Sequence, residues 1–187
     1  MAIEPWPTLA SQDLGDYRVF KVRRDRRRSP RTGEEHDFYI LDMPEWVNII
    51  ALTPEGKAVL IRQFRHGTGE ASLEIPGGVV DAGDGSLEEA ARRELLEETG
   101  FEAAEVVHIG TVTANPAIQN NRCHTFLARG ARRVSDQRLD RGEDITVVEV
   151  ALAEVDGLLA AGGIDHTMVV SAFHWLALYR QHHPGAW

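Results

Sequence analysis

The chain has 187 residues, of which 43% are hydrophobic and 26% charged, so it can form one globular domain with a small appendage and is not intrinsically disordered. Its 29 acidic and 20 basic residues give a net charge of −9, which excludes broad electrostatic binding to nucleic acid or to an anionic membrane. The sequence shows no signal peptide and no membrane-spanning run, and its one cysteine, Cys123, cannot form an internal disulfide, so we expect a cytoplasmic protein.

The first third of the sequence predicts four strands in two pairs. Residues 17–28 and 34–43 form the first pair, joined by a turn-like segment that contains Ser, Pro and Gly. Residues 47–52 and 58–64 form the second pair, and the Thr-Pro-Glu-Gly sequence between them is a strong hairpin signal.

A domain boundary is predicted at the Met-Pro-Glu sequence that ends at residue 45. Residues 1–45 are expected to form a small N-terminal β-unit and residues 46–187 the main domain. The small unit carries a basic run, Arg23–Arg28, in an otherwise acidic protein. This run is interpreted either as a solvated strand end and turn or as a binding site for phosphate or a partner.

The rest of the chain mixes strands and helices without regular alternation. Strands are predicted at 106–112, 122–127 and 145–150, and helices at 87–99, 153–161 and 167–182. This order predicts an α/β protein with a mixed sheet flanked by helices.

The first predicted helix combines clear end signals with an unfavourable charge pattern. Ser86 and the Glu three positions later form a capping box, and Gly100 is a natural stop. Glu94, Glu97 and Glu98 are spaced i, i+3, i+4, so they project from one side near the C-terminal end, where the helix dipole disfavours anions. The helix alone allows two interpretations, a solvated acidic face or a site for a hard divalent cation.

From Gly78 to Phe101 the sequence follows the pattern G-x5-D-x8-R-E-L-x-E-E-x-G-F. This pattern closely resembles the Nudix box, G-x5-E-x7-R-E-U-x-E-E-x-G-U, in which U is a bulky apolar residue. The part that begins at Arg93 matches at every fixed position, whereas Asp84 stands in place of the first Glu and is followed by one extra residue. The resemblance implies a Nudix-type α/β/α sandwich with a mixed β-sheet.

The resemblance extends over most of the chain. Residues 60–65 and 73–78 look like the segments before the box in ADP-ribose and nucleoside diphosphate sugar pyrophosphatases. In that branch an N-terminal β-unit mediates dimerisation and helps to shape the nucleotide site, so residues 15–43 imply a homodimer. The spacing of Pro116 from the box is the one associated with the ADP-ribose branch, and the resemblance implies that this residue contacts substrate. The surrounding residues 115–122, however, look closer to a bacterial group of nucleoside diphosphate sugar hydrolases.

The implied reaction is hydrolysis of a nucleotide sugar to a nucleoside monophosphate and a sugar phosphate. The resemblance implies Mg²⁺ as the cofactor, with Mn²⁺ as a substitute, because metal ions neutralise a diphosphate and activate water. Glu94 and Glu98 are implied as the principal metal ligands, assisted by Glu97 and the carbonyl of Gly78. Arg93 is implied to orient the glutamates by ion pairing.

Three further residues are candidates for the site. Arg65 is interpreted as a ligand of the diphosphate or as a solvated strand end, and Trp46 as a stacking partner for the base or as a packing residue. Related enzymes draw their general base from a loop after the box, which points to Glu143, with Asp144 and Glu97 as alternatives. The alternative interpretation is that this loop is a solvated turn without a catalytic role.

Two other functions remain open at the level of the sequence. One is a housecleaning nucleoside triphosphatase, although those small enzymes usually lack an extension like residues 1–45. The other is a non-catalytic regulator that binds a nucleotide, although such proteins tend to lose the glutamates of the box.

Overall fold

The computed structural model describes residues 3–186, and its internal contacts divide the chain into two units. The first unit contains the residues up to Pro44 together with Thr113–Arg122. The second contains Glu45–Val112 and the residues from Cys123 onward. The segment Thr113–Arg122 therefore groups with the N-terminal unit, whereas the sequence interpretation placed it in the main domain.

The first unit is built on a three-stranded antiparallel sheet in the order β1-β2-β3. Its strands are β1 (Thr8–Asp16), β2 (Lys21–Arg28) and β3 (Glu35–Asp42). The sequence predicted two of these strands but not β1, which is polar and almost wholly exposed. Residues 17–20, predicted as strand, form a turn in which Arg18 has a positive φ of 69°.

The basic run lies within β2, and its arginines bind acids of the same sheet. Asp25 is buried and accepts hydrogen bonds from Ser11, Arg23 and Arg27. Four further ion pairs join β2 to acids of β3: Arg23–Asp42, Arg24–Asp37, Arg26–Asp37 and Arg28–Glu35. The run thus stabilises its own sheet through an ion-pair network, which accounts for its charge without an external anion.

The second unit contains a seven-stranded mixed sheet, a two-stranded ribbon and three α-helices. The strands are β4 (Trp46–Leu52), β5 (Lys57–Arg65), β6 (Glu70–Glu74), β7 (Gly77–Val79), β8 (Phe101–Glu102), β9 (Glu105–Thr113), β10 (Arg122–Arg129), β11 (Arg132–Arg133) and β12 (Ile145–Ala151). The helices are α1 (Leu87–Thr99), α2 (Leu152–Ala160) and α3 (Thr167–His182), followed by a 3-10 turn at Pro184–Ala186. Each predicted helix is confirmed to within one residue at either end.

The main sheet has the order β12-β5-β4-β10-β9 and splits at its middle. β4 and β5 pair only next to their hairpin turn, at Ala51–Val59 and Leu52–Ala58. Beyond that point β5 pairs with β6, and β4 pairs with β7. The split therefore inserts the Pro-Gly-Gly segment between two central strands, where its backbone faces α1.

Helices cover both faces of this sheet. Alternate residues of β4 pack against α1, where Ala91 and Leu95 belong to the same buried cluster as Ile49 and Phe126. The other face of β4 packs against α2 and α3 in a second cluster that includes Ile50. This arrangement confirms the predicted α/β/α sandwich with a mixed sheet. Among residues 3–186, no helix combines the length and apolar character that crossing a bilayer requires.

Candidate active site

Helix α1 directs two of its three glutamates into the protein. Ser86 accepts a hydrogen bond from the Glu89 N–H at 3.1 Å and so begins the helix as the capping box predicts. Glu94 and Glu98 lie on the buried side with Leu95, whereas the side chain of Glu97 is 39% exposed. The acidic side of the helix is therefore turned largely toward the sheet.

The buried glutamates meet the backbone of β7 at close range. Glu98 Oε2 accepts a hydrogen bond from the Gly77 N–H at 2.8 Å. A Cβ atom at Gly78 would lie 2.6 Å from Glu94 Oε1, so a side chain there would displace the Glu94 carboxylate from its present position. The two carboxylates thus lie against the backbone of the Gly-Gly segment.

Burial makes the position of these two carboxylates unfavourable for negative charge. Desolvation raises the pKa of Glu94 to about 7 and that of Glu98 to about 8, with a contribution from the charge of Glu143. Within the described residues, no three His, Cys, Asp or Glu side chains form a complete metal site. Two buried carboxylates fit Mg²⁺, because Mg²⁺ is held through one or two carboxylates, keeps several waters and takes further oxygens from substrate phosphates.

Arg93 joins the Gly-rich loop to the helix. Its Nε and Nη2 donate to the two oxygens of Asp84, both at 3.0 Å, and Nη2 also donates to the carbonyl of Val79 at 3.0 Å. Its Nη1 donates to Glu94 at 2.9 Å and to Glu97 at 3.1 Å. Hydrogen bonding to Arg93 lowers the pKa of Asp84. Asp84 therefore anchors Arg93 despite its shorter side chain and the extra residue that follows it.

Arg65 lies near this cluster but is already bound to an acid. Its Nε and Nη2 donate to the two oxygens of Glu74 at 2.7 and 2.6 Å, and Glu74 is buried. Burial opposes ionisation of Glu74, but the bidentate bond to Arg65 outweighs it and lowers the pKa of Glu74. One edge of the guanidinium is thus occupied, and a phosphate would have to bind at the edge formed by its two terminal nitrogens.

Glu143 lies in an exposed loop, 138–144, that we call the acidic loop. Its carboxylate accepts a hydrogen bond from the Asp140 N–H at 2.9 Å. Its charge raises the pKa of Glu94 and Glu98, so the acidic loop lies within electrostatic range of the helix. The structure therefore brings Glu143 into the same region as the glutamates of α1.

Trp46 and Pro116 were the other two candidates for substrate contacts. Trp46 is half-buried in β4, and side-chain alternation places it on the same face as Asn48, which donates a hydrogen bond to Met168 of α3. That face is opposite to the one that packs against α1. Pro116 is exposed in a turn of the first unit.

The sequence interpretation missed two polar residues at the site. Glu74 lies in the segment 73–78 that supported the family resemblance, but no role was predicted for it, and its bond to Arg65 depends on the pairing of β5 with β6. Gln137 belongs to no recognised motif, yet its side-chain amide donates hydrogen bonds to carbonyls of both α1 and β12.

Comparison with known proteins gives evidence of the protein family that is independent of the geometry of the site. A sequence model of the NUDIX domain matches residues 42–173. The chain is 31% identical over 172 residues to an ADP-ribose pyrophosphatase of Bacillus subtilis (strain 168), which covers 91% of this chain and 92% of the relative. It is 27% identical to a methanol dehydrogenase activator of Bacillus methanolicus, with the same coverage of 91% and 92%. A crystal structure of an ADP compounds hydrolase superposes with a TM-score of 0.85 at 23% identity and covers 97% of both chains.

Proposed function

Because the chain belongs to the NUDIX family, we propose that it is a metal-dependent hydrolase that cleaves ADP-ribose to AMP and ribose 5-phosphate. The substrate follows from the ADP-ribose pyrophosphatase to which the chain is similar along 91% of its length. The observation that carries the proposal is the buried pair Glu94 and Glu98 against the Gly77–Gly78 backbone. Other nucleoside diphosphate sugars are further substrates of the same class.

In the proposed reaction, the oxygen of a water molecule forms a bond to one phosphorus and the bridging P–O bond breaks. We propose Mg²⁺ as the cofactor, with Mn²⁺ able to replace it, held by Glu94, Glu98 and the Gly78 carbonyl with help from Glu97. When bound, the ion neutralises the diphosphate and makes water a better nucleophile.

The side chains around the buried glutamates have separate roles in this proposal. Arg93, held by Asp84, keeps Glu94 and Glu97 in place. Arg65, held by Glu74, offers its outer edge to the diphosphate. Glu143 accepts the proton of the attacking water as the general base.

We also propose that the protein is a cytoplasmic homodimer that associates through its N-terminal unit. Large apolar side chains that remain exposed on one unit are typical of a surface that a partner covers. In the first unit these residues include Leu14, Tyr17, Val19, Phe38 and Tyr39. Sedimentation of the full-length protein as a monomer at micromolar concentration would contradict this proposal.

A substrate panel tests the function. Purified protein is incubated with Mg²⁺ or Mn²⁺ and ADP-ribose, several nucleoside diphosphate sugars, NADH, coenzyme A or dNTPs, and the products are identified by chromatography and mass spectrometry. We expect AMP and ribose 5-phosphate from ADP-ribose, and no turnover by Glu98→Gln. Preferential hydrolysis of dNTPs would indicate the triphosphatase instead, and binding of ADP-ribose without products would indicate a regulator.

A further inference from the structure

The chain just before the acidic loop runs along the C-terminal end of α1. The last carbonyls of a helix have no donors within the helix. Here the Arg138 N–H donates to the carbonyl of Glu97 at 2.8 Å, and Leu96 accepts from the Gly100 N–H at 2.8 Å. Gly100 has a φ of 75°, and a Cβ atom there would overlap the carbonyl of Ser135. The carbonyl of Leu96 is thus satisfied by the helix's own cap, and that of Glu97 by Arg138, the first residue of the acidic loop.

Gln137 contributes the side chain to this contact. Its Nε2 donates to the carbonyl of Glu98 at 2.6 Å and to the carbonyl of Ile145 at 3.1 Å. Both partners are carbonyl oxygens, which only accept, so both N–H groups of the amide are used and its nitrogen must face them. One partly buried amide therefore connects α1 with the first residue of β12.

This connection closes the base of the acidic loop. Gln137 immediately precedes the loop and Ile145 immediately follows it, so the amide holds the two ends together and holds both against α1. Glu143 lies two positions before Ile145, where little backbone separates it from the closed base. Gln137 and the backbone bond from Arg138 to Glu97 therefore hold the base of the loop at the helix together, and of these two contacts only that of Gln137 is made by a side chain.

We propose that Gln137 is a positioning residue that holds the acidic loop, and with it Glu143, at the buried glutamates of α1. The catalytic consequence rests on the proposed function, whereas the structural consequence does not. Gln137 itself touches neither substrate nor metal in this proposal. Its effect on hydrolysis is exerted through the position of Glu143.

The test compares Gln137→Leu with Gln181→Leu. Leucine retains most of the side-chain volume at position 137 but has no donors, and Gln181 is an exposed residue near the end of α3 that serves as the matched control. Trypsin can cleave the acidic loop after Arg138 and Arg141, and mass spectrometry identifies the fragments. We expect cleavage at these two sites to be about tenfold faster in Gln137→Leu, which corresponds to about 1.4 kcal/mol, the net value of one or two hydrogen bonds.

Steady-state kinetics with ADP-ribose provides the second readout. We expect Gln137→Leu to lower kcat about tenfold with KM changed less than twofold, because substrate contacts remain and the base is displaced. Gln181→Leu should match the wild type in both assays.

Two results would overturn the proposal. Unchanged cleavage at Arg138 and Arg141 would show that the amide does not hold the loop. Faster cleavage with unaltered kcat would show that it has only a structural role. A wild-type protein that does not hydrolyse ADP-ribose would refute the proposed function, and the cleavage assay would still decide whether Gln137 holds the loop.

Discussion

Replacement of Glu98 by Gln should stabilise the metal-free protein while it removes activity. The carboxyl of Glu98 is 3% exposed, and burial raises its pKa from 4.5 to about 8. Above pH 4.5 the unfolded chain loses this proton more readily than the folded chain, so ionisation favours unfolding. The free energy of unfolding therefore decreases as the pH rises from 4.5 to about 8. Linkage gives a cost of about 3 kcal/mol at pH 7.

Glutamine removes the charge and retains an oxygen that can accept the Gly77 N–H. In EDTA at pH 7 we therefore expect Glu98→Gln to be more stable than the wild type by about 3 kcal/mol, or about 6–12 °C in melting temperature for a chain of this size. The difference should fall to about 0.4 kcal/mol near pH 4.5, because the wild-type carboxyl is then protonated in the folded state and half-protonated in the unfolded state.

Urea titrations and calorimetry between pH 4.5 and 8.5 would measure this difference. Glu97→Gln is the control, since its side chain is 39% exposed and its i,i+4 pair with Arg93 should be worth less than about 0.5 kcal/mol. A Glu98→Gln variant no more stable than the wild type at pH 7–8 would refute the argument that burial destabilises this carboxylate.

Three further predictions follow from the same geometry. Mg²⁺ should raise the melting temperature of the wild type more at pH 8 than at pH 6, because its ligands must be ionised, and should raise that of Glu98→Gln much less; calorimetry checks both. Asp84→Asn should lower the free energy of unfolding by about 1–3 kcal/mol in urea, because Arg93 loses its charged partner, and Asp84→Ala should lower it at least as much. Glu143→Gln should lower kcat at saturating Mg²⁺ by roughly 10²–10⁴-fold with little change in KM. A kcat like that of the wild type would move the general base to another residue, with Glu97 the next candidate.

The sequence predicts those parts of the site that depend on local signals. The ends of α1 follow from Ser86 and Gly100, whose capping geometry involves only neighbouring residues. The i, i+3, i+4 spacing correctly places Glu94 and Glu98 together. It does not reveal that Glu97 is more exposed than either, because burial depends on how the helix rotates against the sheet.

The parts that could not be predicted depend on contacts distant in sequence. β6 and β7 are short and flank a proline, so their pattern is weak, and their pairing with β5 and β4 creates the split in the sheet. The bidentate hydrogen bond between Arg65 and Glu74 depends on the pairing of β5 with β6. Pro116 groups with the first unit through chain folding that no local spacing indicates.

The single cysteine has a practical consequence. Cys123 is 2% exposed in β10, paired with Trp46 of β4, and burial raises its pKa to about 12. The native thiol should therefore resist alkylation at neutral pH, and its rate of modification would report how often this central strand pair opens. A cysteine introduced at an exposed position could then carry a fluorophore or spin label selectively, without prior replacement of the native thiol.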